Sequence, residues 1–345
     1  GPFSRFSTTD TVEWFESRGV KLKTETDGRM FPVTDDSATV INCLQNEAAL
    51  KQIEILTGHD IIKIEKTGDQ FLLTTKAGEI YSCLSLLIAS GGFPKSVSYE
   101  FIRETGHHII EPVPSLFTFN MPGNKITQLM GVSVQNARVR IENTTVETEG
   151  PLLITHWGMS GPAILKSSAW GARVLAGMNY NFNVRISWLP AVNEDDVKKL
   201  IADKKQHEPA KFVETPAFSA IPKRLWQFLL DKYGIVAETR WADLSKKMSL
   251  ELSKALLHDI YPVRGKTTFK EEFVTCGGVA LDEIDFRTME SKKMPGLFFA
   301  GEVLDIDGVT GGFNFQSAWT TGWIAALGIK SRHEQIHGKH NRIQE

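Results

Sequence analysis

Gly296-Leu297-Phe298-Phe299-Ala300-Gly301-Glu302, followed by Val303-Leu304-Asp305-Ile306-Asp307-Gly308-Val309-Thr310-Gly311-Gly312-Phe313-Asn314-Phe315-Gln316, reads as a buried strand, an acidic turn, a glycine loop and the start of a helix. A strand ending in glycine and acid puts a carboxylate at the carboxyl edge of a sheet, where open α/β sheets take their ligands. Gly301 permits close backbone approach there, and Glu302 can accept hydrogen bonds.

Beyond Gly312 the helix starts at Phe313, Asn314 and Phe315, with free N–H groups and the positive end of the dipole turned toward any ligand. That end suits a flavin, whose N1–C2=O edge gains negative charge on reduction, and Glu302 suits the ribityl hydroxyls of the same cofactor. Gly311-Gly312 alone is equally well an ordinary turn; the full string favours a ligand. Asp305 and Asp307 read as turn and capping residues, because no His or third carboxylate follows at metal-ligand spacing. Ala318, Gly322, Ala325 and Ala326 keep one side of the helix slim for a close neighbour.

Working outward, Leu84-Ser85-Leu86-Leu87-Ile88-Ala89 is nearly all apolar and ends in Ser90-Gly91-Gly92, the pattern of a buried parallel strand feeding a ligand-proximal turn. Upstream, helices are expected over Asp10 to Arg18 and Ser37 to Leu50, the latter with Val40, Ile41, Leu44 and Ala48 on one face. Ile61 to Ile64 and Phe71 to Thr75 read as meander strands, and Tyr81 to Ala89 as one further strand. From Glu111 the texture turns to short strands, Ser115 to Asn120, Ala137 to Ile141 and Asn181 to Trp188. Residues 193–260 read as helices, with Leu225, Phe228 and Leu229 on one stripe and Leu252, Leu256, Leu257 and Ile260 on another. The apolar, glycine-rich texture returns at Phe273. The expected organisation is α/β: a cofactor domain over residues 1–110 and 263–329, interrupted by a β-rich insertion (111–192) and a helical subdomain (193–262), with a polar tail at 330–345.

Composition narrows the function. With 39 Lys+Arg against 41 Asp+Glu, a net charge of −2 gives no general basic excess for nucleic acid. Cys43, Cys83 and Cys276 have neither CxxC nor Cys/His spacing, against a disulfide scaffold or structural zinc and in favour of a reducing, cytoplasmic setting. No apolar run reaches the ~18 residues that span a bilayer, so a membrane partner is not expected, and the oligomeric state is left open. The chain begins at Gly1-Pro2 without an initiator Met and enters a helix almost at once, which raises the expectation that an upstream segment was removed.

The string Phe299 to Trp319 resembles the carboxyl-terminal FAD motif of the BaiN/RdsA family of NAD(P)/FAD-dependent oxidoreductases, which are glutathione-reductase-like flavoproteins. Gly28-Arg29-Met30-Phe31-Pro32, Pro114-Ser115-Leu116, Thr155-His156-Trp157-Gly158-Met159-Ser160-Gly161-Pro162, Thr275-Cys276-Gly277-Gly278-Val279 and Thr288-Met289-Glu290-Ser291-Lys292 extend the resemblance in order along most of the chain. It implies a Rossmann-like FAD domain interrupted by a β-barrel-like domain and a helical piece. It also implies NAD(P)H as electron donor and FAD contacts at Ile61, at Ala89, Ser90 and Gly91, and at Gly278 beside the ring, together with Gly301, Glu302, Gly312, Phe313, Asn314 and Phe315. Two departures stand out: no G-x-G-x-x-G occurs in the sequence, so the amino-terminal βαβ unit that holds the FAD pyrophosphate is expected to be missing, and Ala89-Ser90-Gly91-Gly92-Phe93-Pro94-Lys95 lacks the longer glycine loop of many members.

These readings point to an enzyme passing hydride from NAD(P)H through FAD to a small organic acceptor, a carbonyl or enone. His156, an ionisable group among turn residues, is the candidate acid/base; a hydrogen-bonded histidine in a structural turn fits equally well. Cys276 without a paired thiol argues against dithiol chemistry. His107-His108 reads as a surface pair at a strand entry, and Trp226 and Trp241 as core. The reading from another class is a remnant or interaction module that no longer holds FAD.

Overall fold

The computed structural model describes residues 1–26, 28–267 and 274–343, with side chains to Ile336; Phe273 and the last two residues of the polar tail lie outside this set. The chain divides into two compact units, residues 1–113 with 275–345, and residues 114–274.

In the first unit, α1 (Thr8–Glu16) starts two residues before the expected Asp10 because Ser7 caps it: the Asp10 N–H donates to Ser7 Oγ, and Asp10 accepts from the Ser7 N–H at 2.6 Å. β1 (Leu22–Thr24) and β2 (Met30–Pro32) form an antiparallel hairpin around the Gly28 turn. α2 (Ala38–Leu50) fills the expected helix, but its apolar face is open: Cys43 is buried while Ile41 and Leu44 are 51% and 43% exposed. β3 (Ile61–Thr67), β4 (Gln70–Thr75) and β5 (Ile80–Cys83) make an antiparallel meander. The run expected as one strand from Tyr81 to Ala89 is two, since β5 ends at Cys83 and β6 (Leu86–Ile88) belongs to another sheet. A continuous apolar run does not show where a chain leaves one sheet for the next. α3 (Glu100–Arg103) and β7 (Ile109–Ser115) follow.

The second unit carries β8 (Thr118–Asn120), β9 (Ser133–Ile141), β10 (Glu147–Ile154), β11 (Gly158–Ser160), α4 (Pro162–Trp170), α5 (Ala172–Gly177) and β12 (Asn181–Ser187). Then come α6 (Glu194–His207), α7 (Lys223–Lys232), α8 (Lys246–Leu257), β13 (Asp259–Arg264) and β14 (Lys266–Thr267). The strands form one sheet in the order β13-β12-β9-β10-β11-β8-β14. Its two edge strands are separated in the chain by Gly265 alone. The Gly265 N–H donates to Tyr180 O at 2.8 Å and Gly265 O accepts from the Asn120 N–H at 3.2 Å, so the sheet curls into a barrel-like form that hides its own edges. One core runs through strands and helices alike: Val134, Ile141 and Val184 pack in the same cluster as Leu225, Leu229 and Leu256. Ile260, expected on the helical stripe, lies on β13 and is 44% exposed.

At the centre of this unit Asp259 is fully buried. It accepts from Trp188 Nε1 at 3.0 Å, from the Tyr233 hydroxyl at 3.0 Å, and from the Tyr261 hydroxyl and Lys232 Nζ. Burial, together with the Asp259 charge, pushes both phenols above their ordinary range. A buried carboxylate is tolerated only when its partners replace the lost water.

The chain returns to the first unit through β15 (Val274–Val279), β16 (Ile284–Asp285), β17 (Glu290–Ser291) and β18 (Leu297–Phe299), and closes with α9 (Phe313–Ile343). β18 lies parallel to β6, with Leu297 opposite Leu86 and Phe299 opposite Ile88, inside the order β16-β17-β18-β6. The polar residues 330–343 continue α9 as helix. His107, expected at the surface, is 3% exposed. Thr105 Oγ1 donates to Ile102 O, so it accepts from His107 Nδ1–H at 2.7 Å. His107 Nε2 then accepts from Ser291 Oγ at 2.7 Å, and Ser291 Oγ accepts the Lys293 and Met294 N–H groups. The ring stands edge-on to Phe299 of β18, 5.0 Å between centroids.

Removing the Asp259 carboxylate in Asp259→Ala takes the acceptor from the buried Trp188 and Tyr261, from the half-buried Tyr233 and from the Lys232 ammonium, which keeps only Ile260 O. Urea denaturation should show a loss of about 3–5 kcal/mol. Burial lowers the pKa of His107 below its ordinary 6.5, with the Lys293 charge in the same direction and Glu283 opposing. The unfolded chain therefore takes up the proton first, and the His107 contribution is complete above pH 6.5 and declines as pH falls below it, by at most about 1.4 kcal/mol per pH unit. Stability curves from pH 7 to 5 should show this slope, and His107→Phe should flatten it.

Candidate cofactor site

Because β6 and β18 are parallel neighbours, their carboxyl ends deliver two turns side by side, Ala89-Ser90-Gly91-Gly92 and Ala300-Gly301-Glu302. Gly91 and Gly301 have φ of +75°, a conformation that other residues adopt only with strain. The Gly301 N–H donates to Thr321 Oγ1 of α9 at 2.9 Å, and a Cβ at Gly301 would stand 3.5 Å from the Ala318 methyl. The slim side of α9 thus divides: Ala318 and the buried Ala325 face this unit's own turn and core, whereas Ala326 is exposed.

Glu302 is half-buried, and its Oε1 accepts the Thr275 N–H at 2.7 Å. Burial raises its pKa and Asp307 adds to that, against the lowering effect of the Thr275 hydrogen bond. β15 runs beside the segment after β18, with Val279 bridged to Leu304 and Asp305 N–H donating to Val279 O at 3.0 Å. Gly277 and Gly278 make this possible: φ is +128° and +139°, and any Cβ would strike Glu111 O and Pro112 Cα at the first, Val303 O and Leu304 at the second. The space where a Gly278 side chain would go is filled by the chain itself, which leaves only its backbone to face a ligand.

The loop before α9 is held by Asn314, whose Oδ1 accepts the Gly308 N–H at 2.6 Å and whose Nδ2 donates to Gly308 O at 3.2 Å. Its side chain is committed to the loop. Gly311 and Gly312 have φ of +114° and +88°, and Gln316 N–H makes its α-helical bond back to Gly312 O. Phe313, Asn314 and Phe315 therefore form the first turn of a 31-residue helix with no acid in that turn, where N–H groups have no intrahelical acceptor. Phe313 and Phe315 are 58% and 68% exposed. Sequence reading missed the polar relay that ties α9 to the amino-terminal helix: Thr11 Oγ1 donates to Gln316 Oε1, Gln316 Nε2 to Thr320 Oγ1, and Thr320 Oγ1 to Phe6 O.

Ile61 opens the meander, paired with Thr75 at a bulge before Lys63. It belongs to the same unit as the two turns. His156 belongs to the second unit: it is exposed in the β10–β11 turn, its ring edge-on to Trp157 at 4.2 Å, while Trp157 Nε1 donates to Thr118 Oγ1. On the barrel face a groove of about 370 Å³ is lined in part by Arg138, Arg140 and Arg185. Glu149, Glu147 and Glu142 pair with them at 3.2, 3.7 and 3.1 Å, so this positive charge is already balanced. Among the described residues, no helix is long and apolar enough to cross a membrane.

The family model described as "HI0933-like protein Rossmann domain" matches residues 1–328. The chain belongs to that family. The BaiN/RdsA resemblance and the α/β Rossmann reading, with its barrel-like insertion, hold at that level. Relatives include proteins named ribosomal RNA dihydrouridine synthase from Escherichia coli, 29% identical over 94% of this chain and 79% of the relative, and from Haemophilus influenzae, 27% identical over 94% and 80%. A 3-dehydro-bile acid delta(4,6)-reductase from Clostridium scindens is 26% identical over 95% and 81%. The two synthase names leave the composition argument against nucleic acid without support.

The site fits the flavin and ribityl half of FAD: a half-buried carboxylate and two positive-φ turns at adjacent strand ends, next in the chain to an acid-free helix start. Gly278→Ala forces a Cβ into Val303 O at a left-handed φ, and strain of this kind costs about 1–3 kcal/mol. Thermal melts should show the loss, with weaker retention of added FAD.

Proposed function

We propose that the chain works as a flavin-dependent oxidoreductase that saturates a C=C bond conjugated to a carbonyl, with NAD(P)H as donor. The observation that carries this reading is the pair of glycine turns at the ends of β6 and β18 with Glu302 set between them and β15. Bound FAD would supply the hydride chemistry, taking hydride from the nicotinamide and giving it to the acceptor. Glu302 would hold the ribityl hydroxyls. Backbone N–H groups of Phe313, Asn314 and Phe315 would stabilise charge on the N1–C2=O edge, with Ala89, Ser90, Gly91, Gly301 and Gly312 giving backbone approach, Gly278 backbone beside the ring and Ile61 backbone toward the adenine.

The relatives' names support the acceptor class, since dihydrouridine formation and a delta(4,6)-reduction of a 3-oxo steroid both saturate a C=C next to a carbonyl. Such a reduction adds hydride to the β-carbon and a proton to the α-carbon. His156 is the proposed proton donor, through its imidazole. A uracil ring within RNA and a free small-molecule enone are both members of this class. The alternative, a chain that keeps the fold without the cofactor, draws on the lack of any G-x-G-x-x-G in the 345 residues.

The purified chain mixed with FAD and desalted should keep absorbance near ~450 nm and bleach with NADH or NADPH. His156→Gln should slow reoxidation by an enone or by unmodified ribosomal RNA by about a hundredfold while leaving bleaching unchanged. A colourless protein moves the reading to the interaction module, and unchanged reoxidation removes His156 from the chemistry.

A further inference from the structure

The two glycines of the turn after β6 are glycine for different reasons. Gly91 needs its φ of +75° and has open space where a side chain would go. Gly92 is outside the left-handed region, but it has no room: a Cβ would stand 2.7 Å from Thr275 Oγ1, 2.8 Å from Thr275 Cβ and 2.8 Å from Glu302 Oε1. None of the three neighbours can simply withdraw. Thr275 is fully buried on β15, and β15 is wedged against other backbone at Gly277, where a Cβ would meet Glu111 O at 2.7 Å and Pro112 Cα at 2.8 Å. Glu302 Oε1 is tied to the Thr275 N–H. The turn is pinned from its own side as well, because the Phe93 N–H donates to the hydroxyl of the fully buried Tyr99 at 3.0 Å. Among the described residues, Thr275 Oγ1 lies in this contact with no hydrogen-bond partner, a cost of about 1–3 kcal/mol for a buried hydroxyl.

We propose that Gly92 is a positioning residue for Glu302: the side chain it lacks is the space in which the turn after β6, Thr275 and the carboxyl close together, so that the carboxylate is set before a ligand arrives. The proposal rests on the flavin reading in naming the ribityl hydroxyls as what that carboxylate meets. Preset hydrogen-bonding groups bind better because no ordering is left to be done on binding. Any side chain at Gly92 must push the carboxyl away or force the turn from β15, and either change moves the carboxylate from its preset place.

The test is a double-mutant cycle with Gly92→Ala and Glu302→Ala in the full chain. Its readouts are the Kd for FAD from flavin fluorescence, the midpoint potential of bound flavin, and the Tm without FAD. Gly92→Ala alone should weaken FAD about tenfold, and by less than about twofold once Glu302 is replaced, with 1.4 kcal/mol corresponding to the tenfold change. The midpoint potential should move in the same direction in both single variants. The Tm loss caused by Gly92→Ala should be smaller in the Glu302→Ala background, because one of the contacts is gone. FAD losses that add, or a Gly92→Ala Kd equal to wild type, overturn the proposal. If the wild-type chain takes up no FAD, the flavin reading fails instead, and Tm coupling without FAD decides the positioning role by itself: additive losses overturn it.

Discussion

The parallel pairing of β6 with β18 is the constraint on which the cofactor unit depends. Two three-residue strands, Leu86–Ile88 and Leu297–Phe299, separated by some two hundred residues of chain, fix the register between the Ala89–Gly92 turn and the Ala300–Glu302 turn. Such short strands make few ladder bonds, and their pairing is held by what packs around it. Phe298 and Phe299 are fully buried, His107 braces Phe299, and Ala318 and Thr321 of α9 sit on Gly301. Parallel strands need long crossovers and coverage on their faces, so an intervening unit of 161 residues, 114–274, is compatible with the sheet.

That intervening unit is stabilised on its own terms. Its core joins barrel strands and helices in one cluster, and its buried charge is answered at Asp259 by an indole, two phenols and an ammonium. The first unit uses polar burial differently. The His107–Ser291 pair and the Thr11–Gln316–Thr320 relay are neutral chains of hydrogen bonds that join segments distant in sequence, and a satisfied neutral network rigidifies without the desolvation cost of an ion.

The parts of this legible in sequence were those governed by local rules. The strand-Gly-acid-loop-helix string, the helices with periodic stripes and the barrel strands all carry short-range signals. The misreadings share a cause, which is that burial is decided by distant segments. His107 looks like half of a surface pair until Ser291, 184 residues away, is placed against it. Residues 81–89 look like one strand until two sheets claim their halves. Ile41 and Leu44 form an apolar stripe on α2 and still stand exposed. Glycine was the residue whose reason was hardest to read locally: nothing local distinguishes Gly91, needed for its φ, from Gly92, needed for its missing side chain, or shows that a side chain at Gly278 would meet Val303 O.

That distinction bears on how one family can serve acceptors as unlike as a ribosomal uridine and a bile acid, as the relatives' names state. The groups argued to hold the flavin are backbone turns and one carboxylate, fixed by contacts at Gly92, Gly277 and Gly278 in which even a methyl group has no space, and by the positive φ of Gly91, Gly301 and Gly312. Such a site tolerates little change. On the proposed function, acceptor choice would then be written in side chains free to vary without moving those turns, and the barrel unit, with its separate core and exposed turns such as that of His156, meets this requirement. Under the proposed flavin reading, a cofactor site that cannot drift, joined in one chain to a unit that can, would let the same chemistry be offered to different molecules.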